Sequence, residues 1–272
     1  MIKKFFFVPL INKKFIEKVK TLDIDYIVYD LEDAIGEDSF EEAFENLELI
    51  EDRKECFIRP RIEHNNLDTN IFYKFKNLGF NKFVIPKLKS YNEFINVNNK
   101  LSKIFNTYEI IVLVENPQIL FDLKMILDNY SKVISGIGLG SHDYCNVLGA
   151  KHTYESYRFA HDYILNVAKS YSIKAIDIAS MNIVNEEVFK KETKRSFDKG
   201  YRYKFLLHPR QTEYLKKITY FDKEEIEFAK KVAEKININE EFNAVKIDDQ
   251  ILEKPHIDRI KEILNYTGYG FR

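Results

Sequence analysis

The chain is poor in several residue types, and each shortage narrows its class. Its 272 residues include only two cysteines, Cys56 and Cys145, which are too few for a disulfide scaffold. A reducing, cytoplasmic compartment fits this number, and Cys56 opens an apolar run as a small core residue would. Neither charge dominates, because 42 Lys and Arg residues balance 43 Asp and Glu residues. We therefore expect no nucleic-acid partner and no anionic membrane partner.

Long apolar runs are missing as well, and no segment is apolar enough to span a bilayer. The first residues resemble a signal peptide, because Lys3-Lys4 precede an apolar stretch from Phe5 to Ile11. That stretch is short, and no cleavage site of small residues follows it. We interpret it as a first β-strand. The sequence also lacks internal repeats, low-complexity tracts and linkers.

What the sequence does contain is a regular alternation of β-rich and helical patterns. Hydrophobic residues make up 45% of the chain, which is enough for a full core. Short strands that are separated by amphipathic helices indicate a parallel sheet buried on both faces. Eight such units predict an α/β fold, a closed (β/α)8 TIM barrel. The strand-like runs are Phe5–Pro9, Tyr26–Leu31, Cys56–Arg61, Lys82–Lys87, Ile110–Glu115, Ile134–Gly140, Ile173–Ile178 and Lys204–His208.

The alternation stops after His208, which predicts a change of architecture. A helix over Asp222–Ile236 is followed by a polar stretch, a short hairpin around Asp248-Asp249 and a last helix near Pro255–Leu264. The sequence therefore predicts a TIM-barrel catalytic domain over 1–220. Residues 221–272 form a C-terminal helical extension, or a lid that contacts a neighbouring subunit.

Polar or charged residues end six of the eight predicted strands. Because a barrel carries its active site at the C-terminal ends of its strands, we expect these residues to share one rim. The alternative is an ion-pair network without catalytic function. The groups are Asp30-Leu31-Glu32-Asp33, Arg59-Pro60-Arg61, Pro86-Lys87, Glu115, Gly140-Ser141-His142-Asp143 and His208-Pro209.

Glu115 and Asp143 are the candidate metal ligands. We expect them on neighbouring strands, which lie about 4.8 Å apart, so that both carboxylates can reach one ion. Two carboxylates completed by water and substrate oxygens are typical of magnesium, Mg²⁺. The thiolate or paired-imidazole spacing of a zinc site is absent.

The basic residues at the same rim have more than one interpretation. Arg59 could hold a substrate carboxylate in a bidentate fork, or it could form a salt bridge with Asp30 or Glu32. Arg61 lies two residues further on, so one of the pair could be purely structural. Lys87 could form a Schiff base if it were desolvated, but nearby carboxylates favour an electrostatic role.

Histidines at the rim are weaker candidates. His142 could act as a base or orient Asp143, and His208 could orient loops, but a lone histidine is more often a satisfied hydrogen-bonding residue. No dinucleotide fingerprint, P-loop, nucleophile elbow or metalloprotease helix is present in the sequence.

Taken in order along the chain, these motifs resemble the citrate lyase β-subunit-like family within the HpcH/HpaI aldolase superfamily. The resemblance covers nearly the whole chain. The motifs that show this resemblance are Phe7-Val8-Pro9, Asp30-Leu31-Glu32-Asp33, Ile58-Arg59-Pro60, Ile85-Pro86-Lys87, Val114-Glu115-Asn116, Gly140-Ser141-His142-Asp143 and Leu207-His208-Pro209-Arg210-Gln211.

The resemblance implies Mg²⁺ on Glu115 and Asp143, with Glu32 and Asp33 near its waters. It implies that Arg59 lies on the carboxylate and carbonyl side of a bound 2-oxo acid, and that the protein forms trimers or hexamers. Our candidate catalytic residues at the rim are Arg59, Glu32, Asp33 and Lys87. The expected substrate contacts are Arg59, Arg61, Pro86, Gly140 and Ser141.

Two departures from the family pattern concern the substrate. Arg61 stands where the family has asparagine, and the added positive charge could suit a more anionic or sugar-derived substrate. Glu253 stands where the coenzyme A lyases have an aspartate that enters a neighbouring active site, so Glu253 is a candidate acid–base residue in trans.

The sequence thus predicts a magnesium-dependent carbon–carbon lyase of the aldolase or Claisen type. Its expected partner is a 2-oxo acid, as a citryl-, malyl- or citramalyl-thioester of coenzyme A or an acyl carrier, or as a hydroxy-oxo acid. The alternatives are an acyl-coenzyme A thioesterase on the same metal site, a Schiff-base aldolase, and a non-catalytic subunit that binds an oxo acid.

Overall fold

A computed structural model describes residues 2–32, 39–53, 55–62, 68–236, 238, 244–247 and 249–269. The chain divides into two compact units, Ile2–Lys217 and Ile218–Arg272, the second with Met1. No helix in the described ranges combines the length and the apolar character needed to cross a membrane.

The first unit contains eight parallel strands that close into a barrel in the order β1 to β8, as the sequence predicts. β1 pairs with β2 through Phe5 and Tyr26, and it pairs with β8 through Phe5 and Phe205, which closes the ring. The strands are β1 Lys3–Pro9, β2 Tyr26–Asp30, β3 Cys56–Arg59, β4 Lys82–Ile85, β5 Glu109–Val114, β6 Ile134–Leu139, β7 Lys174–Asp177 and β8 Tyr203–Leu206.

Helices follow the strands, and local capping signals fix where several of them begin. The Asn116 side chain accepts a hydrogen bond from the Gln118 amide, and Pro117 occupies the first turn. Ser39 makes no side-chain cap, although its spacing to Glu42 suggests a capping box. The helices are α1 Lys13–Val19, α2 Phe40–Glu45, α3 Thr69–Asn77, α4 Tyr91–Ile104, α5 Pro117–Tyr130, α6 Ser141–Val147, α7 Tyr154–Ser170, α8 Glu186–Lys199 and α9 Pro209–Lys216.

The second unit has its own elements. A helix, α10 Lys223–Lys235, is followed by an antiparallel hairpin, β9 Ala244–Ile247 and β10 Gln250–Glu253, and by α11 Lys254–Thr267. Arg259 of α11 pairs with Glu225 of α10 at 3.2 Å and stacks over Phe221. The antiparallel pairing of β9 and β10 confirms the hairpin that the sequence predicts around Asp248-Asp249, of which Asp248 lies outside the described residues.

The interior of the barrel is filled by inward-facing residues of the strands. Because side chains alternate along a strand, Phe5 and Phe7 of β1 point inward and Phe6 and Val8 point outward. Phe205 packs against Phe5 and Phe7 with ring centroids 6.0 and 5.2 Å apart. Each fully buried phenylalanine contributes about 1.5–3 kcal/mol relative to exposure.

Gly138 in β6 leaves the space that the Phe205 ring occupies. A β-carbon at this position would lie 2.3 Å from Cε2 of Phe205, far inside van der Waals contact. We expect Gly138→Ala to lower the free energy of unfolding by about 1–3 kcal/mol, because the barrel core would be overpacked. Urea unfolding followed by circular dichroism measures this loss.

The companion variant for this prediction is Phe205→Leu, which removes the clashing ring atoms. In that background Gly138→Ala should cost clearly less than in the wild type, because the two positions share one volume. Equal losses in both backgrounds would show that the ring does not oppose the added methyl group.

Candidate active site

A cavity of about 390 Å³ opens at the C-terminal ends of the barrel strands. Asp30 and Arg59 end β2 and β3 at this rim, and Glu115 directly follows β5, so the cavity lies where the sequence predicts the active site. Its walls are formed by Phe7, Pro9, Asp30, Arg59, Leu113, Glu115, Leu139, Gly140, Ser141, His142, Asp143, Ala179, Met181, Phe205 and Leu207.

The cavity has a polar side and an apolar side, which follow the strand order. Asp30 of β2, Arg59 of β3, Glu115 directly after β5 and the segment 140–143 after β6 supply its charged and polar groups. The segments that follow β7 and end β8, together with the end of β1, supply Ala179, Met181, Phe205, Leu207, Phe7 and Pro9. The cavity can therefore hold a ligand with one charged end and one apolar end.

A chain of ion pairs crosses the polar side. Arg59 donates from Nε and Nη2 to the two carboxylate oxygens of Asp30, at 2.8 and 2.7 Å. Its Nη1 lies 3.1 Å from Oε2 of Glu32, and Oε1 of Glu32 lies 2.5 Å from Nζ of Lys87. Asp30, Glu32 and Arg59 are all buried, so this arrangement holds the guanidinium at the cavity wall with little freedom.

These contacts bear on two of the alternatives that the sequence leaves open. The salt bridge of Arg59 with Asp30 and Glu32 is present, and the same guanidinium also lines the cavity. The Lys87 side chain is 48% exposed and paired with Glu32. A solvated, paired ammonium is unsuited to Schiff-base chemistry, so the structure favours an electrostatic role for Lys87.

The main chain of Lys87 positions Glu115. Lys87 has a φ of 56°, a left-handed conformation that is uncommon outside glycine. In this conformation its amide donates a 2.6 Å hydrogen bond to Oε2 of Glu115. On the other side, Gly140 leaves room for the carboxylate, because a β-carbon there would lie 2.5 Å from Cγ of Glu115.

The charge of Glu115 is strongly disfavoured in the metal-free site. The pKa of the Glu115 carboxyl is raised to about 8, first by burial and then by the negative charges of Glu32 and Asp143. The hydrogen bond from the Lys87 amide and the charge of Arg59 oppose this shift without cancelling it. A carboxyl in this environment gains much by binding a cation.

Asp143 lies in a different element from the one that the sequence suggests. β6 ends at Leu139 and Gly140 caps a short helix, so Asp143 occupies the first turn of α6 rather than a strand. The expectation of two ligands on neighbouring strands is therefore wrong for this residue. Its side chain is exposed and lines the cavity together with Glu115.

The donor set fits a hard divalent cation. Glu115 and Asp143 offer carboxylate oxygens at one cavity, and waters and substrate oxygens can supply the remaining ligands of Mg²⁺. Among the residues that the structure describes, no three His, Cys, Asp or Glu side chains are grouped as ligands. A magnesium site here thus rests on these two carboxylates.

A stacked pair of imidazoles stands behind the polar side. The His142 and His152 rings lie 3.6 Å apart with an angle of 10° between their planes. Nε2 of His152 shares a 2.9 Å hydrogen bond with Oγ of Ser141, which lines the cavity. Burial lowers the pKa of His152, and the neighbouring His142 lowers it further, so the His152 ring is neutral at pH 7.

Comparison with known proteins shows which family the chain belongs to. The model of the HpcH/HpaI aldolase/citrate lyase family matches residues 3–209. The chain belongs to this family. Relatives include the citrate lyase β subunit of Haemophilus influenzae, which is 27% identical over 98% of this chain and 97% of its own length. The mitochondrial citramalyl-CoA lyase of Rattus norvegicus is 23% identical over 75% of this chain and 67% of its own.

Solved structures agree with the family assignment at the level of the fold. CitE from Mycobacterium tuberculosis, crystallised with magnesium, acetoacetate and coenzyme A, has a TM-score of 0.82 and 19% identity, with 98% of each chain covered. A citrate lyase β subunit from M. tuberculosis with oxaloacetate and magnesium has a TM-score of 0.68 and 19% identity, over 79% of this chain and 96% of its own. The family and its named relatives identify the chain as a lyase.

Other residues expected to be functional in this HpcH/HpaI family member remain predictions. β3 ends at Arg59, so Arg61 lies after the strand; among the described residues that line the cavity, neither Arg61 nor Pro86 is present. Glu253 caps α11 in the second unit, where its amide donates to Nδ1 of His256. Asp33 lies outside the described residues.

Sequence reasoning missed several members of the site. His152 is twelve residues from Gly140, in the connection between α6 and α7, and no motif marks it. Ala179 and Met181 follow β7, whose last residue, Asp177, pairs with Lys204 and is not among the residues that line the cavity. A search for small and apolar residues just after each strand would have found Ala179 and Met181, but not His152.

Proposed function

We propose that this protein is a magnesium-dependent carbon–carbon lyase that acts on a thioester derived from a 2-oxo acid. The observation that carries the proposal is the buried Glu115 carboxyl, whose pKa is about 8 and which lies beside Asp143 and Arg59 in one cavity. The named relatives, citrate lyase β subunits and a citramalyl-CoA lyase, support the choice of substrate class.

The polar side would bind the 2-oxo acid portion of the substrate. Glu115 and Asp143 would hold Mg²⁺, which would supply Lewis-acid stabilisation of negative charge on the hydroxyl oxygen that becomes the 2-oxo carbonyl when the carbon–carbon bond breaks. Arg59 would contact the substrate carboxylate, and its bonds to Asp30 keep the guanidinium oriented without substrate. The Lys87 amide keeps one oxygen of Glu115 in place.

The apolar side would receive the acyl portion and exclude water from the reacting carbons. Phe7, Phe205 and Leu207 form this wall at the ends of β1 and β8. A base must take the proton of that hydroxyl, and an acid must protonate the carbon of the thioester enolate that is released. Glu253 of a neighbouring copy is our candidate for this proton transfer. This assignment follows the resemblance to the coenzyme A lyases.

Metal removal tests the proposal directly. We expect cleavage of citryl-, malyl- or citramalyl-coenzyme A to fall by at least about 10³-fold after treatment with EDTA, because the electrostatic stabilisation of the developing negative charge is lost. Activity should return when Mg²⁺ is added in excess. The assay follows both the free thiol and the 2-oxo acid product.

Measuring the two products distinguishes the proposed lyase from the alternative functions. Release of free coenzyme A without a 2-oxo acid would assign a thioesterase, and cleavage that persists in EDTA would remove the metal from the reaction. Borohydride reduction with substrate should leave the protein mass unchanged, since Lys87 is solvated and paired.

A further inference from the structure

Gln211, in the motif His208-Pro209-Arg210-Gln211, has no part in the chemistry above, yet it is fully buried with every polar atom engaged. Its Oε1 accepts the amides of Leu207 and His208 at 2.8 and 3.3 Å. Its Nε2 donates to the carbonyl oxygens of Ser180 and Asn182 at 2.8 and 3.4 Å. One side chain therefore ties the turn after β8 to the segment after β7.

The segment that Gln211 holds, residues 178–183, is the β7 loop. The loop is anchored at further points by α8 and β8: Ser180 donates to Glu192 at 2.7 Å, and Lys204 donates to the Ile178 carbonyl oxygen at 2.9 Å. Gln211 differs from these anchors because it also fixes the backbone at Leu207, which itself lines the cavity. The relative position of two cavity walls thus depends on it.

The β7 loop presents two side chains to the apolar side of the cavity. Ala179 is small and leaves depth at the wall, whereas Met181 is 58% exposed and stands at the opening. Because both side chains line the cavity, their size and position set the space that is left for an apolar chain on this side. Loop position therefore translates into the length of acyl group that fits.

We propose that Gln211 is a positioning residue that sets the β7 loop, and that Met181 on this loop determines the length of the acyl group that the enzyme accepts. The inference rests on the proposed lyase function and deepens it. It predicts that the acyl portion comes from a short, straight-chain thioester. Selectivity for the length of this acyl group would be set by the segments at the ends of β7 and β8 rather than by Glu115 and Arg59.

Two variants test this assignment. Met181→Ala should raise kcat/KM for butyryl- and propionyl-coenzyme A relative to acetyl-coenzyme A, by about tenfold or more per methylene, with pyruvate as the second substrate. Gln211→Glu keeps the shape and the acceptor but sets a carboxylate oxygen against two carbonyl oxygens. We expect it to raise KM for acetyl-coenzyme A about tenfold with a smaller change in kcat.

A second measurement reports on the loop without any turnover. Hydrogen exchange of peptides that cover 178–184 should accelerate about tenfold or more in Gln211→Glu. The matched control is Glu213→Gln on the same helix, an exposed residue that pairs only locally with Lys216 in the described contacts. It should leave both exchange and kinetics unchanged, and unaltered exchange in Gln211→Glu would overturn the positioning role.

Calorimetric binding of pyruvate in the presence of Mg²⁺ separates failure of this inference from failure of the proposed function. Both variants should bind pyruvate as the wild type does, because the polar side is untouched. If the wild type does not bind pyruvate, the lyase proposal fails. If it binds, and the acyl-length preference of Met181→Ala equals that of the wild type, the specificity assignment fails and the lyase proposal stands.

Discussion

Replacement of Glu115 by Gln is expected to lower lyase activity by about 10³-fold or more while the barrel stays folded. The amide keeps an oxygen that can accept the Lys87 N–H, so local geometry is retained. It removes a charge that a divalent cation needs. Calorimetry should show a matching loss of Mg²⁺ affinity, and a variant with wild-type affinity would contradict the assignment of this ligand.

The same variant makes a prediction about pH. The pKa of the Glu115 carboxyl is raised from 4.5 to about 8, so its contribution to stability is complete below the lower value and is lost as pH rises through the higher one. In EDTA, the wild type should lose on the order of a few kcal/mol between about pH 5 and pH 9 that Glu115→Gln does not lose. Thermal unfolding across this range measures the difference.

The control for both measurements is Glu109→Gln at the opposite end of β5. Glu109 is 40% exposed and pairs with Lys82 at 3.4 Å. Its replacement should leave Mg²⁺ affinity and activity unchanged, since it lies at the N-terminal end of the strand, away from the cavity. If the metal-free stability of Glu109→Gln and of Glu115→Gln followed pH identically, the pH dependence would have to be assigned elsewhere.

Removal of the buried Lys204 charge should destabilise the barrel far more than removal of an exposed lysine charge. Lys204 of β8 is fully buried, and its Nζ lies 2.6 Å from Oδ2 of Asp177. His161 and Ser196 bond to the other oxygen of Asp177, at 2.8 and 2.9 Å. Lys204→Met leaves this carboxylate without its cation, which should cost about 3–5 kcal/mol and lower Tm by about 6–15 °C.

The pKa of Asp177 fixes how this loss depends on pH. Burial acts to raise that pKa, but the charge of Lys204 and the bond from His161 outweigh it and hold the pKa below its usual range. The contribution of the pair is therefore complete above the ordinary value of 3.8 and is lost only in stronger acid. In the wild type this contribution should therefore be constant across neutral pH.

Two further variants calibrate this measurement. Lys194→Met breaks an exposed pair with Asp198 and should change stability by less than about 1 kcal/mol. Adding Asp177→Leu to Lys204→Met should recover stability, because no buried charge is then left unpaired. A double variant less stable than Lys204→Met would show that the pair is not the source of the loss.

The barrel could be predicted from the sequence because each strand is a short, continuous apolar run between helical patterns. The observed strands begin and end within two residues of those runs, and all eight pair in chain order. The sequence patterns did not predict the short helices α6 and α9. Seven or eight residues give too few turns for a helical period to stand out from the loop that contains it.

Part of the candidate site was also accessible, since Glu32, Arg59 and Glu115 stand where apolar runs end. Sequence cannot reveal which oppositely charged residues pair, so the bond between Arg59 and Asp30 remained one of two options until the strands were in register. Gln211 and His152 form hydrogen bonds with residues that are distant in the sequence, and no local sequence pattern predicts such contacts.

The left-handed backbone at Lys87 has a consequence for how this position can evolve. The group that donates the hydrogen bond to Glu115 is a main-chain amide, which every residue except proline has. The hydrogen bond therefore does not depend on the identity of the side chain. Glycine or asparagine, which adopt this backbone angle more readily, would keep the bond while discarding the ammonium. Descendants of this chain could therefore lose the lysine, and with it one of the cationic partners of Glu32, without displacing the acid at position 115.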